Sequence, residues 1–112
     1  MKKIEAIIQP ESLDAVKEEL FKAEVYKMTV SRVKGCGQQK GYTESYRGKI
    51  YKVNLLPKIK IEIIIKDKDV ERISKVIIEN SRTGEIGDGK IFIYPVDEAI
   101  RIRTGEKGEI AL

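Results

Sequence analysis

Lys58-Ile-Lys-Ile-Glu-Ile-Ile-Ile65 is the most regular stretch of the chain. Ile59, Ile61, Ile63 and Ile65 fall at alternate positions, and Lys58, Lys60, Glu62, Ile64 and Lys66 stand between them. That period of two marks a β-strand with one face on a core. After it, Asp67 or Asp69 can cap a helix whose apolar stripe is Val70, Ile73, Val76 and Ile77. Residues 91–94 read as a further strand. Residues 99–103 read as a short fifth one, with Ile100 and Ile102 on the core side. Before the central stretch, residues 28–33 are strand-like. Leu13, Val16, Leu20 and Phe21 make a helical stripe that runs to about residue 23, with Pro10 in the first turn. Residues 2–9 alternate again, Ile4, Ala6 and Ile8 facing one way. The order β-α-β-β-α-β is the split βαβ arrangement. It predicts an α+β, ferredoxin-like sandwich in one domain, 1–112, an antiparallel sheet with two helices on one face. The helix-free face would carry Ile7, Val33, Ile64 and Phe92 or Tyr94, too apolar for water, which predicts self-association.

Between the second and third strands lies a long polar loop, residues 35–57, studded with Gly35, Gly37, Gly41 and Gly48 and carrying Tyr42, Tyr46 and Tyr51. Connections beyond about 15 residues tend to be functional or disordered. The loop reads either as an arm for a partner or ligand or as a loose hairpin connection.

Composition narrows the function classes. The 22 basic residues outnumber 18 acidic ones, leaving a net charge of +4, which suits anionic ligands without requiring nucleic acid. There is no histidine, so the commonest general base and metal ligand is missing. One cysteine, Cys36, forms no intrachain disulfide, and a reducing compartment fits it. No apolar run approaches the roughly 18 residues of a membrane span. The charged first strand is not a signal peptide, so a soluble cytoplasmic protein is expected.

Two segments suggest anion chemistry. Gly84 to Lys90 matches G-x-x-x-x-G-K, yet Ile91 replaces the Ser or Thr of a phosphate-binding P-loop, and the segment runs from helix to strand. Its three glycines still allow N–H groups to converge on an anion, with Arg82 and Lys90 supplying charge. The alternative is a helix cap followed by a tight turn. Arg101 and Arg103, two apart on a strand, would share a face and suit a polyphosphate; for two arginines alone, a solvated strand face is the better explanation. Lys58, Lys60 and Glu62 need nothing beyond alternation. The RNA-recognition fold shares the βαββαβ order, but residues 58–66 offer no aromatic to stack a base.

Taken together, the chain resembles the PII nitrogen-regulatory signal proteins over essentially its whole length. The resemblance rests on Met1-Lys-Lys-Ile-Glu-Ala-Ile-Ile8, Met28-Thr-Val30, Val33-Lys-Gly35, Gln39-Lys-Gly41, Tyr46-Arg-Gly48, Leu56-Pro-Lys58, Arg82-Thr-Gly84, Gly87-Asp-Gly-Lys-Ile-Phe92 and Arg101-Ile-Arg-Thr-Gly105. It implies a non-enzymatic homotrimer that binds ATP or ADP, and 2-oxoglutarate with Mg2+ when ATP is present. The implied nucleotide contacts are Thr29, Gly35, Gly37, Gln38, Glu62, Ile64, Gly87, Asp88, Gly89 and Lys90, with Arg101 and Arg103 from the adjacent subunit. Gln39, Lys40, Gly41 and Lys58 would hold 2-oxoglutarate, and Gln39 the magnesium. Tyr46, Arg47, Lys49 and Tyr51 would belong to the partner-binding loop, Tyr51 matching a position that some members modify. An ammonium transporter or another nitrogen-metabolism protein is the implied partner, with no nucleic acid and no membrane insertion. Three positions depart from the family pattern: Cys36 where an aromatic is common, Gln38 where an arginine is common, and Tyr42 where a histidine is common. Lys49 replaces a serine that some relatives phosphorylate.

Overall fold

The computed structural model describes residues 1–36, 42–46, 49–53 and 55–112, with side chains for 1–36 and 55–112. The first strand, β1, is Lys2–Ile8, followed by a 3-10 turn at Pro10–Ser12 and helix α1 at Leu13–Lys22. Strands β2 (Thr29–Gly35), β3 (Tyr42–Tyr46), β4 (Lys49–Val53) and β5 (Leu56–Ile65) come next. A second 3-10 turn, Asp67–Asp69, leads to helix α2 (Val70–Ser81) and strand β6 (Gly89–Pro95). The main sheet runs β2-β5-β1-β6, and every neighbouring pair is antiparallel. The ferredoxin-like α+β fold is therefore as expected.

The registers explain the core. Ile4 lies opposite Ile63, Ala6 opposite Ile61 and Ile8 opposite Ile59, so the two alternating strands present one continuous apolar face. Val16 and Leu20 of α1 and Ile73 and Ile77 of α2 close on that face, and all of these side chains are buried. An isoleucine-to-alanine change at such sites typically costs about 2–5 kcal/mol. Helix α1 ends in a Schellman arrangement: Val25 N–H donates to Leu20 O at 2.9 Å and Glu24 N–H to Phe21 O at 3.0 Å. Glu24 takes the left-handed backbone there, at φ 68, where glycine is usual. Buried Val25 then packs with Leu20.

Four expectations change. The long loop contains a two-stranded hairpin, β3 with β4, whose register pairs Tyr46 with Lys49 and Tyr42 with Val53. Tyrosine, threonine, valine and isoleucine favour strand even where no apolar alternation runs through them. Residues 99–103 form no strand: only Ile100 bridges to Lys107. Gly105 N–H donates to Arg101 O at 2.7 Å, Arg101 N–H to Glu106 O and Gly108 N–H to Ala99 O, closing a local turn instead. Ile102 is consequently 100% exposed and Ile100 58%, not in the core. Phe21 lies outside the core stripe at 64% exposure, where it meets Tyr26 edge to face. Neither aspartate caps a helix through its side chain. Asp67 instead pairs with the N-terminal ammonium at 2.9 Å, and Asp69 with Arg72 at 3.4 Å.

Candidate functional site

The topology gathers the conspicuous segments at one end of the sheet. Strand β1 finishes at Ile8, which lies opposite both Ile59 and Gly89. Strand β2 finishes at Gly35, opposite Leu56. The base of the hairpin arm, the start of β6 and the glycine-rich loop before it thus converge.

Lys58 is the hub of this end. It belongs to the helix-free face, yet it is only 9% exposed. Its Nζ donates to Gln9 Oε1 at 3.1 Å and to the Gly87 carbonyl at 3.1 Å. The stem runs past Gly35, where an added Cβ would lie 3.6 Å from Lys58 Cγ. A buried ammonium needs oxygen partners, which is why this lysine does not simply extend into water.

The glycine-rich loop proves to be built around its own carboxylate. Asp88 accepts hydrogen bonds from Thr83 N–H at 2.8 Å, Gly84 N–H at 2.9 Å and the Thr83 hydroxyl. Gly84, Gly87 and Gly89 all have positive φ. The N–H groups of Thr83 and Gly84 are therefore already occupied by an internal anion, which the glycine spacing alone did not reveal. The Thr83 hydroxyl, with the Thr83 and Gly84 amides, holds the Asp88 carboxyl below its ordinary value. A lowered native pKa favours the charged form. Its contribution is present above the ordinary carboxylate range and lost as pH falls below about 4. The amide resonances of Thr83 and Gly84 should move together in that acid range, with a midpoint below that of a free aspartate. A midpoint at or above the free value would contradict this arrangement. Lys90 and Arg82 remain exposed and form no ion pair with a described residue.

Beside this loop, on the helix side of the sheet, Ile8, Ile77, Ile91, Ser81 and Lys90 line a cavity of about 340 Å³. The buried Ser81 hydroxyl has no hydrogen-bond partner among the described residues. Neither Ser81 nor Gln9 stood out in the sequence.

The remaining expected residues divide into two groups. Thr29 lies opposite Glu62 in the β2–β5 pairing, and Ile64 is two residues further on, so these three share the helix-free face. That face also carries Lys3, whose Nζ is 3.4 Å from Glu62 and 4.7 Å from the Tyr94 ring centre. Tyr94 hydroxyl donates to Glu5 at 3.2 Å, and Phe92 stands beside it, 43% exposed. Arg101 and Arg103 lie on a turn and not on a strand, so the shared strand face expected of them is absent. Arg101 donates to Glu106 Oε1 at 2.7 Å and to Ile110 O at 2.8 Å, while Arg103 is exposed without an ion pair to a described residue. Within one chain they lie far from Lys90: β6 spans seven residues between Gly89 and Pro95. That length corresponds to roughly 20 Å. A contact of 4.0 Å between Lys66 and Glu109 keeps the C-terminal turn at the far end.

Gly37, Gln38, Gln39, Lys40, Gly41 and Arg47 lie outside the described residues, and Tyr46, Lys49 and Tyr51 are described as backbone only. Among the described residues no group of acidic, cysteine or histidine side chains is placed to hold a metal. No described helix is long and apolar enough to cross a membrane.

Comparison with known proteins bears on this arrangement. The family model for nitrogen regulatory protein P-II matches residues 1–106. The nitrogen regulatory protein P-II of Cereibacter sphaeroides is 59% identical over 112 residues, the full length of both chains. That of Rhodospirillum rubrum is 56% identical, again over the whole of both. Nitrogen regulatory protein P-II 2 of Methanothermobacter thermautotrophicus is 54% identical over all of this chain and 97% of its own.

Proposed function

This chain belongs to the nitrogen regulatory protein P-II family, and we propose that it is a non-enzymatic transducer of nitrogen and energy status. In this reading it is a cytoplasmic homotrimer that binds ATP or ADP, and 2-oxoglutarate with magnesium when ATP is bound. Its hairpin arm then engages target proteins such as an ammonium transporter. One observation carries the reading: Lys58, at the foot of the arm, holds the Gly87 carbonyl of the glycine-rich loop at 3.1 Å. A ligand charge taken up at Lys58 is felt by that loop and by the arm's base together. The regulatory names of the relatives support signalling rather than turnover.

The described residues offer partners for these ligands. Thr29, Glu62 and Ile64 form a neighbouring set for the adenine end. Gly35, Gly37, Gln38, Gly87, Asp88, Gly89 and Lys90 are assigned to the phosphate end. Because Asp88 occupies the Thr83 and Gly84 amides, the phosphate charge is met chiefly by Lys90 and by Arg101 and Arg103 of a neighbouring copy. A single chain cannot supply both sets, since β6 separates them. Exposed Ile64, Phe92 and Ile102 supply apolar surface for the contact between copies. Lys58, with Gln39, Lys40 and Gly41, is assigned to 2-oxoglutarate, and Gln39 to the magnesium. Arg47, Lys49, Tyr46 and Tyr51 belong to the arm that meets the target.

Arg103→Ala tests the assembly and the nucleotide site together. Arg101 also holds the C-terminal turn through Glu106, so Arg103 is the cleaner position. Light scattering should return the mass of a homotrimer for both wild type and variant. Calorimetry should show ATP affinity falling tenfold to a hundredfold, about 1.5–3 kcal/mol for a charge-assisted hydrogen bond. Unchanged ATP affinity, or a stable monomer, would overturn this placement.

A further inference from the structure

The cavity beside the glycine-rich loop is walled by four isoleucines, Ile8, Ile77, Ile78 and Ile91. Ser81 lines it as well, at 8% exposure, and its hydroxyl is the one buried side-chain group without a partner among the described residues. Asp88 also lines it, but that carboxylate is already taken by Thr83 and Gly84. Such walls hold water poorly, since a buried water makes about two to four hydrogen bonds. An apolar side chain carried on its polar backbone suits them better. The side chain meets the isoleucines, and a main-chain N–H or carbonyl meets Ser81.

Ile102 has the complementary character. It is 100% exposed, on the turn that Arg101, Gly105 and Glu106 close. It stands between Arg101 and Arg103, the two arginines assigned above to the phosphate end of a neighbouring copy. Consecutive Cα atoms lie about 3.8 Å apart, so the arginines cannot approach Lys90 without bringing Ile102 to the same place. Lys90 is itself one of the residues lining the cavity. We propose that Ile102 of a neighbouring copy seats in this cavity and holds its flanking arginines against the phosphate end. The inference rests on the homotrimer and the arginine placement proposed above, and adds the residue that anchors them. A single chain cannot make this contact, because the length of β6 separates the two sets.

The charges attach a condition to the contact. Seating Ile102 gathers Arg101 and Arg103 of one copy beside Arg82 and Lys90 of the other. Glu106 offsets Arg101 and Asp88 offsets Arg82, while Lys90 and Arg103 form no ion pair with a described residue. The remaining like charges repel, and a polyphosphate placed among them removes the repulsion. ATP and the seated isoleucine therefore favour each other, each strengthening the other by the same factor. In that role Ile102 is a positioning residue: it touches no phosphate, and it fixes the groups that do.

The test is cross-linking in the full chain, with its one native cysteine removed by Cys36→Ser and with Ile78→Cys and Ile102→Cys introduced. A disulfide requires Cα atoms within about 7 Å. Mild oxidation should join chains into dimers and trimers on a non-reducing gel, faster with ATP present. Neither cysteine alone should give trimers. Calorimetry then compares wild type, Ile102→Ala and Ile102→Leu. The alanine variant should lose roughly tenfold in ATP affinity, the scale of one buried isoleucine side chain, and the leucine variant should stay near wild type.

A homotrimer by light scattering whose double-cysteine form does not cross-link would overturn the seating while leaving the assembly standing. Wild-type ATP affinity in Ile102→Ala, or an equal loss in Ile102→Leu, would overturn the anchoring role. A stable monomer, or no ATP binding by the wild-type chain, would remove the reading on which the inference rests, and the inference with it.

Discussion

Gly89→Ala is expected to destabilise the fold by at least about 3 kcal/mol, from backbone strain and steric overpacking combined. Gly89 opens β6 opposite Ile8 and sits at φ 119. A Cβ placed there would come within 1.9 Å of Ile7 O and 3.2 Å of Ile8 Cα. Both obstacles are backbone of the central strand β1, so no flexible side chain can yield. The start of β6 would have to leave the sheet, taking Lys90 and the glycine-rich loop with it. Gly84→Ala provides the control, since Gly84 also has positive φ but an added Cβ meets nothing within 4 Å. It should cost only about 1–2 kcal/mol, the penalty of a left-handed alanine. Urea denaturation of both variants separates the terms. Equal losses would show that strand proximity at Gly89 does not matter.

Lys58→Met should reduce 2-oxoglutarate affinity by about a hundredfold or more, the scale of a lost charge-assisted pair at the upper end of its range. Methionine retains the stem that passes Gly35, so packing is kept. Removing a buried ammonium also removes its desolvation cost, while Gln9 Oε1 and the Gly87 carbonyl lose a donor. These effects oppose one another, and the melting temperature should change little. ADP binding and trimer assembly should be spared. A variant that binds 2-oxoglutarate as wild type does would dissociate Lys58 from the ligand.

The sequence disclosed the architecture because β1 and β5 repeat the same apolar period, and each helix carries a stripe of matching width. Where it misled, local signals were too short or were satisfied in another way. Five alternating residues at 99–103 resembled a strand, but Gly105 closes a turn there and Arg101 turns inward to Glu106. Asp67 resembled a helix cap, but the N-terminal ammonium, remote in sequence, reaches it first. The turn that closes helix α1 puts Glu24 in the left-handed region, without the glycine that usually announces such an end. Asp88 illustrates a different limit. The glycines around it were readable as an anion cradle, whereas the anion already inside it depends on a fold of the loop. Gln9 carried no signal of its own. Its importance appears only when the sheet brings it to Lys58, residues separated by 49 positions.

The resemblance supplied expectations that spacing could not, for the ligands, the assembly and the role of the arm. The geometry adds a physical connection between them, because Lys58 touches the glycine-rich loop and stands at the arm's foot. By linkage, a target that prefers the ADP-bound form must weaken 2-oxoglutarate binding by the same factor that 2-oxoglutarate weakens capture of the target.

The most direct measurement is a calorimetric titration of 2-oxoglutarate into the purified chain, with ATP and magnesium present and then omitted. Saturable binding that requires ATP and magnesium, and is absent from Lys58→Met, is the predicted result. Binding of equal strength without nucleotide, or no binding by the wild-type chain under either condition, would contradict the account.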